Sequence, residues 1–273
     1  MQAEAPKICQ VYRLGLVPYT PAWELQERLA AQIATGNQPP SLLLLQHPHI
    51  FTFGRGGNRR NLLWDEQECL RRGVEVRWVD RGGDVTYHGP GQLVGYPLLP
   101  LMPGGLYARR AQNSTGECAR PLPQADYVGY LRKLEESLIL TLQRQGVPSG
   151  QLTGQTGVWV QPDVRSRCRY CPPELRQKPA KIAAIGVKVD ARGVSRHGFA
   201  LNVDPDMSYF SGIIGCGLAD QPVASLAEIV EPLPSIEEVE SQYIVAFAEV
   251  FGYQVVESSS EELLAGEKNF EHL

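Results

Sequence analysis

Between Arg81 and Leu98 the chain reads RGGDVTYHGPGQLVGYPL. Five glycines (Gly82, Gly83, Gly89, Gly91 and Gly95) are set among Asp84, Thr86, Tyr87, His88 and Gln92. Glycine permits tight turns and φ > 0, and it lets a backbone approach a ligand closely. Set in mid-chain beside apolar strand-like runs, such a stretch suits the wall of a pocket; a glycine-rich hairpin without a ligand is the bland alternative. Val74 to Val79 alternates as a strand and feeds Arg81, so the expected setting is strand, glycine turn, strand. Arg81 and His88 then sit at strand ends, where loops carry function. Arg81 is suited to hold an anionic group, or it is a solvated arginine.

The flanking chain alternates strands and helices. Ile8 to Leu14 reads as a strand. Thr20 followed by Pro21 predicts a helix start, with Trp23, Leu25, Leu29 and Ile33 on one face and an end near Gly36. Ser41 to Gln46 is a continuous apolar run, as in a strand buried on both faces. His47-Pro48-His49 leads into a short strand ending at Phe53 and a Gly54-Arg55-Gly56-Gly57 turn. Two histidines so spaced are possible metal ligands, but no acidic or cysteine partner lies nearby, and pocket framework is the reading adopted. Asp65 to Arg72 predicts a short helix closed by Gly73. Asp126 is the expected N-cap of a helix through Gln145, with Val128, Leu131, Leu134, Leu138 and Leu142 as its core stripe. Gly157 to Val160, Ile182 to Val189 and His197 to Val203 read as strands. Ser235 with Glu238 forms a capping box for a helix to Phe251, closed by Gly252, and Tyr253 to Val256 as a last edge strand.

With 273 residues, 43% of them hydrophobic, the chain supports a sizeable core. One catalytic domain over residues 1–257 is expected, with long loops at 102–123 and 161–180 and a polar, acidic, disordered tail over 258–273. A net charge of −4 weighs against nucleic acid as a partner. No apolar run is long enough to span a bilayer. The amino-terminal MQAEAPKICQ lacks the apolar region of a secretion signal, and six cysteines in this length do not form a disulfide scaffold. A cytoplasmic protein with reduced thiols is therefore expected.

Two cysteine patterns stand out. Cys168 and Cys171 form a C-x-x-C among Arg165, Arg167, Arg169, Arg176, Lys178 and Lys181. Such a pair supplies two of the four ligands of a structural zinc, with Cys118 or a distant histidine as a possible complement; a redox pair and unpaired loop thiols are the alternatives. The basic surroundings suit either solvent or an acidic partner. Cys216 stands between Gly215 and Gly217, which leaves it sterically open and surrounds it with backbone N–H groups suited to an oxyanion. The alternative is a small buried thiol in a turn.

The Arg81 stretch resembles the RGG-x-x-TYHGPGQLV-x-YP signature of lipoyl(octanoyl) transferases. KIAAIGVKV from Lys181 and HGFALNVDPDMSYFSGIIGCGL from His197 are similar to the same family, and the resemblance runs from about Ile8 to Gly252. It implies an α/β (α+β) fold of the biotin/lipoyl protein ligase type, with mixed, largely antiparallel sheets and flanking helices. It also implies octanoyl-acyl carrier protein as donor. The acceptor is a specific lysine of lipoyl domains in 2-oxoacid dehydrogenase subunits or of the glycine cleavage H protein. No cofactor or ATP is implied, since a cysteine thioester is as good an electrophile as the donor. Motif matching assigns the nucleophile to Cys216 and the thiolate-stabilising, proton-accepting role to Lys181. The acyl pocket falls to Arg81, Gly82, Gly83, Asp84, Val85, Thr86, Tyr87, His88, Ala184, Ile185, Gly186, Gly198, Phe199 and Ala200. Three departures are visible: Arg196 precedes His197 where the family has an aromatic residue, Gly215 precedes Cys216 where it has proline, and the 102–123 connection is longer. The competing readings are an ATP-dependent lipoate or biotin-type ligase and a non-catalytic, zinc-binding docking module.

Overall fold

A computed structural model describes residues 7–101, 126–165, 177–215, 221–259 and Leu263. In chain order the elements are β1 (Ile8–Leu16), α1 (Tyr19–Ala34), β2 (Ser41–Gln46), β3 (Ile50–Phe53), α2 (Glu66–Arg71), β4 (Glu75–Trp78), β5 (Val85–His88) and β6 (Gln92–Leu98). There follow α3 (Tyr127–Arg144), β7 (Gly150–Leu152), β8 (Gln155–Val160), the one-turn α4 (Pro162–Arg165), β9 (Ala180–Val189), β10 (Ser195–Asn202), α5 (Ile236–Phe251) and β11 (Gln254–Glu257). The sequence segments expected as long loops fall outside the described residues over 102–125 and 166–176, as does nearly all of the tail.

Eight strands form one mixed sheet in the order β11-β1-β2-β6-β10-β9-β8-β7, and three form a second, β4-β3-β5. In the large sheet β1 runs parallel to both β11 and β2, and every other pairing is antiparallel. The apolar run Leu42–Leu45 of β2 is covered on both faces. Leu42 and Leu44 join a core beneath α3 and α5, while Leu43 and Leu45 join a second core beneath α1. With both faces covered, each leucine removed from water contributes about 1.5–3 kcal/mol.

The glycine-rich stretch is not a hairpin. Its strand β5 pairs with β3, and β4 lies on the far side of β3, so the Val79–Asp84 connection crosses over instead of turning back. Past Gly89-Pro90-Gly91 the chain enters β6 of the large sheet. One motif thus supplies a strand to each sheet and bridges them, and the space between the sheets is what it encloses.

Two helix expectations shift. Helix α1 starts after Pro18 and not at Thr20. Pro21 falls inside the first turn, where its missing N–H has no partner to lose. In α3, Leu134, Leu138 and Leu142 are buried but Val128 is 67% exposed. Six residues at about 100° each put it about 120° around the helix from Leu134. The capping box of α5 forms as read: Ser235 N–H donates to Glu238 Oε2 at 2.7 Å, Glu238 N–H donates to Ser235 Oγ at 3.2 Å, and Gly252 closes the helix at φ +69°.

Candidate active site

Lys181 should point away from the site by simple alternation. Ala180 and Ile182 belong to the core beneath α3 and α5, but so does Ala183, the very next residue. The reason is a bulge: Trp159 pairs with Lys181 and Val158 with Ala183, so two residue steps on β9 oppose one on β8. A bulge of this kind reverses the parity of everything beyond it. Lys181 therefore shares a face with Ala184 and Gly186, turned toward the small sheet. Gly157, opposite the bulge, holds φ +123°, and a Cβ there would lie 2.7 Å from Ala183 O; the Lys181 ammonium sits 4.8 Å from the centre of the Trp159 indole. Lys181 also receives the returning chain: its N–H donates to Pro222 O, and Ala224 N–H donates to its carbonyl.

Two cavities meet at this lysine. One, of about 440 Å³, runs under the glycine loop. Arg81, Gly82, Gly83, Asp84, Val85, Thr86 and His88 line it from one side, and Ala184, Ile185, Gly186, Gly198, Phe199 and Ala200 from the other. The second, of about 390 Å³, shares Lys181, Val85, Thr86, Ala184 and Ala200 and extends past Trp159, Gln92, Asn202 and Phe210. Its rim includes Gly215 and Gln221, between which the chain passes through Cys216. Cys216 itself lies outside the described residues, as do Cys118, Cys168 and Cys171. Among the described residues no group of three or more His, Cys, Asp or Glu side chains is placed to hold a metal.

Tyr87 is the one proposed pocket residue that lines neither cavity. Alternation in β5 sends it to the opposite face from Thr86 and His88. There it packs with Phe51 and stacks at 5.2 Å on Tyr209, with its hydroxyl 2.9 Å from His49 Nδ1. Arg81, although it lines the first cavity, is not a solvated side chain. It is buried and donates to the carbonyl and hydroxyl of Thr52 and to Gly82 O, which ties the glycine loop to β3. Gly186 allows this closeness, because a Cβ there would meet Gly82 O at 3.0 Å.

The end of the first cavity joins His47, read as pocket framework, and Tyr96 of the glycine-rich stretch to Tyr19, whose sequence setting carried no signal. Tyr19 and Tyr96 line it, and His47 stands directly behind. His47 Nδ1–H donates to Val17 O at 2.6 Å, which leaves Nε2 to accept from Tyr96 Oη–H at 2.7 Å. Burial keeps this imidazole neutral, with its pKa lowered to about 4. His88 is likewise neutral, driven well below the ordinary value by burial and by its cationic or imidazole neighbours. Its Nδ1–H donates to Gln92 Oε1 at 2.8 Å, and Gln92 in turn donates to Asn202 Oδ1 at 2.9 Å. Two residues expected to stand apart on β10, Arg196 and His197, both reach Asp80. His197 has φ +56°, which breaks strand alternation and swings both side chains inward.

Two sheets enclosing a partly apolar cavity, roofed by a glycine loop and joined to a second cavity at a lysine, define an α/β protein with a pocket that meets an amine. The chain belongs to the lipoyl protein ligase A/B catalytic domain family, whose model matches residues 18–248. An octanoyltransferase of Chloroflexus aggregans is 40% identical over 250 residues, spanning 92% of this chain and 98% of that protein. One from Gloeobacter violaceus is 40% identical over 258 residues, with 94% and 96% covered. Among solved structures, a bi-partite lipoate protein ligase of Thermoplasma acidophilum aligns with a TM-score of 0.64 at 16% identity, over 96% of this chain and 92% of that one. Lipoate-protein ligase A bound with ATP aligns at 0.62 and 17%, over 96% and 94%. At such identities the structures speak to the fold, and it is the mixed α/β fold that the motifs imply.

Proposed function

We propose that this chain transfers an octanoyl group from octanoyl-acyl carrier protein to a specific lysine of a lipoyl domain, or of the glycine cleavage H protein, through a thioester on Cys216. The observation that carries this reading is the bulge that turns Lys181 into the junction of two cavities, one of them rimmed by Gly215, the residue before Cys216. The names of the 40%-identical relatives supply octanoyl as the group.

The transfer takes two steps. Cys216 thiolate attacks the donor carbonyl and expels the carrier thiolate, which takes a proton from the Lys181 ammonium. The acceptor lysine, as a neutral amine, then attacks the Cys216 thioester and gives its proton to the now neutral Lys181. The Cys216 thiolate leaves, and the ammonium–thiolate pair is restored. Small Ala184 and Ala200 and apolar Val85 leave room for the alkyl chain.

The test is intact-mass analysis of the protein incubated with octanoyl-acyl carrier protein without ATP. The expected result is an octanoyl adduct that hydroxylamine removes and that Cys216→Ser lacks. An unmodified wild type, folded and with reduced thiols, overturns the thioester route; product formed only with ATP and free octanoate or lipoate assigns the chain to the ligase chemistry instead.

A further inference from the structure

The first cavity is closed at one end and open at the other. Tyr19, Tyr96, His88 and His197 are at most 6% exposed, whereas Gly83, Gly154 and Thr156 lie at the surface. The closed end is a cage of rings centred on Tyr19. Its ring lies 5.0 Å from that of His47 and 6.1 Å from that of His88, nearly parallel to the latter.

The hydroxyl and imidazole N–H groups of this cage donate to one another and to partners behind it, while the Trp23 indole N–H beside Tyr19 finds no partner among the described residues. His197 Nε2–H donates to Asp80 Oδ1 at 2.7 Å, so its Nδ1 is left to accept from Tyr19 Oη–H, 3.4 Å away. Asp80 Oδ2 accepts from Arg196 at 2.8 Å and also from Lys188. Arg196, itself buried, holds Glu27 of α1 at 2.6 Å, and Gln26 accepts the His197 N–H at 2.7 Å. The strained His197 backbone is thus over-determined from α1, β9 and the residue before Arg81. A ligand with a polar tail gains no partner from the hydroxyl and imidazole groups so committed; an alkyl tail meets ring surface and leaves no group unpaired.

We propose that Tyr19, braced through His197 by Asp80, is the stop that limits the length of the acyl chain this protein accepts. Tyr19 determines specificity by contact, and Asp80 is a positioning residue. The inference rests on the octanoyl-transfer reading for its substrate class.

The test uses acyl carrier protein charged with octanoyl, decanoyl, dodecanoyl or tetradecanoyl groups, with single-turnover acylation followed by intact mass. In parallel, calorimetry measures binding of the free C8 to C14 fatty acids, which requires no chemistry. In the wild type, acylation falls by about tenfold or more once the chain passes the stop, since a misplaced methylene is worth roughly 10–200-fold. Tyr19→Leu raises the dodecanoyl-to-octanoyl ratio by about tenfold. Tyr19→Phe, which keeps the ring but loses the hydroxyl through which His197 braces it, raises that ratio by less than Tyr19→Leu does. Asp80→Asn raises it, a change that simple destabilisation does not produce. A folded Tyr19→Leu protein with the wild-type ratio overturns the stop, and an unchanged ratio in folded Asp80→Asn overturns the brace. If no chain acylates the wild type, the functional reading fails, while the fatty-acid series still decides the stop: equal affinity from C8 to C14 sinks it.

Discussion

At the scale of single residues, position in the chain says little about which way a side chain points. Lys181 reaches the cavities because one extra residue sits in β9, and Tyr87 misses them because β5 has none. General acid–base groups contribute about 10²–10⁴-fold, so Lys181→Met is expected to slow octanoyl transfer by that factor, read from single-turnover mass spectrometry. The protein should bind a neutral octanoyl amide as before, because the alkyl wall is intact. A uniform loss of binding and transfer would instead mark Lys181 as a framework residue.

At the scale of elements, local rules account for what the chain does at its ends and turns. The reciprocal Ser235–Glu238 bonds satisfy N–H groups that α5 cannot pair internally. Ser235→Ala is expected to cost about 1 kcal/mol, measured by urea denaturation, with octanoyl transfer unaffected. Gly157 in β8 is another matter. It holds φ +123°, and a Cβ there would lie 2.7 Å from Ala183 O. Gly157→Ala is expected to cost roughly 1–3 kcal/mol and to lower transfer as well, since the bulge that aims Lys181 shares that backbone. Stability lost without any change in transfer per folded molecule would separate the bulge from the chemistry.

At the scale of the whole molecule, the ring cage is a store of neutral histidines, and it makes stability depend on pH. Burial lowers the pKa of His47 to about 4, and it lowers those of His88 and His197 as well. Between about pH 6.5 and pH 4 the unfolded chain binds protons that the folded one refuses, so stability falls as pH falls across that window. His47 is fully buried, and its shift corresponds to about 3 kcal/mol. Glu240, whose carboxyl burial raises, works the other way in the acid range and offsets part of the loss. Asp80 acts lower still: burial raises its pKa, but hydrogen bonds from His197 and Lys188 hold it below the usual carboxylate range. Urea midpoints should drop steeply from pH 7 to pH 4.5, and His47→Gln should flatten that slope. Equal slopes would mean that His47 is already neutral in the unfolded reference or is solvated in the fold.

What the sequence determined by itself is the set of elements and the ingredients of the site. Apolar periodicity, caps and glycines act over a few residues, so β2, α5 and the pocket-forming character of Arg81–Leu98 could be read directly from the order of residues. The resemblance extended this to Lys181, Ala184 and Ala200, which the structure brings together around the cavities. Tertiary structure alone decided which strands pair, that Arg81 ties the glycine loop to Thr52, and that Tyr19 and Asp80 belong to the site at all. These depend on contacts between residues far apart in the chain, on a single bulge and on one left-handed histidine. Each is fixed by packing and by the need to pair every buried polar group, conditions that exist only once the two sheets have closed on each other.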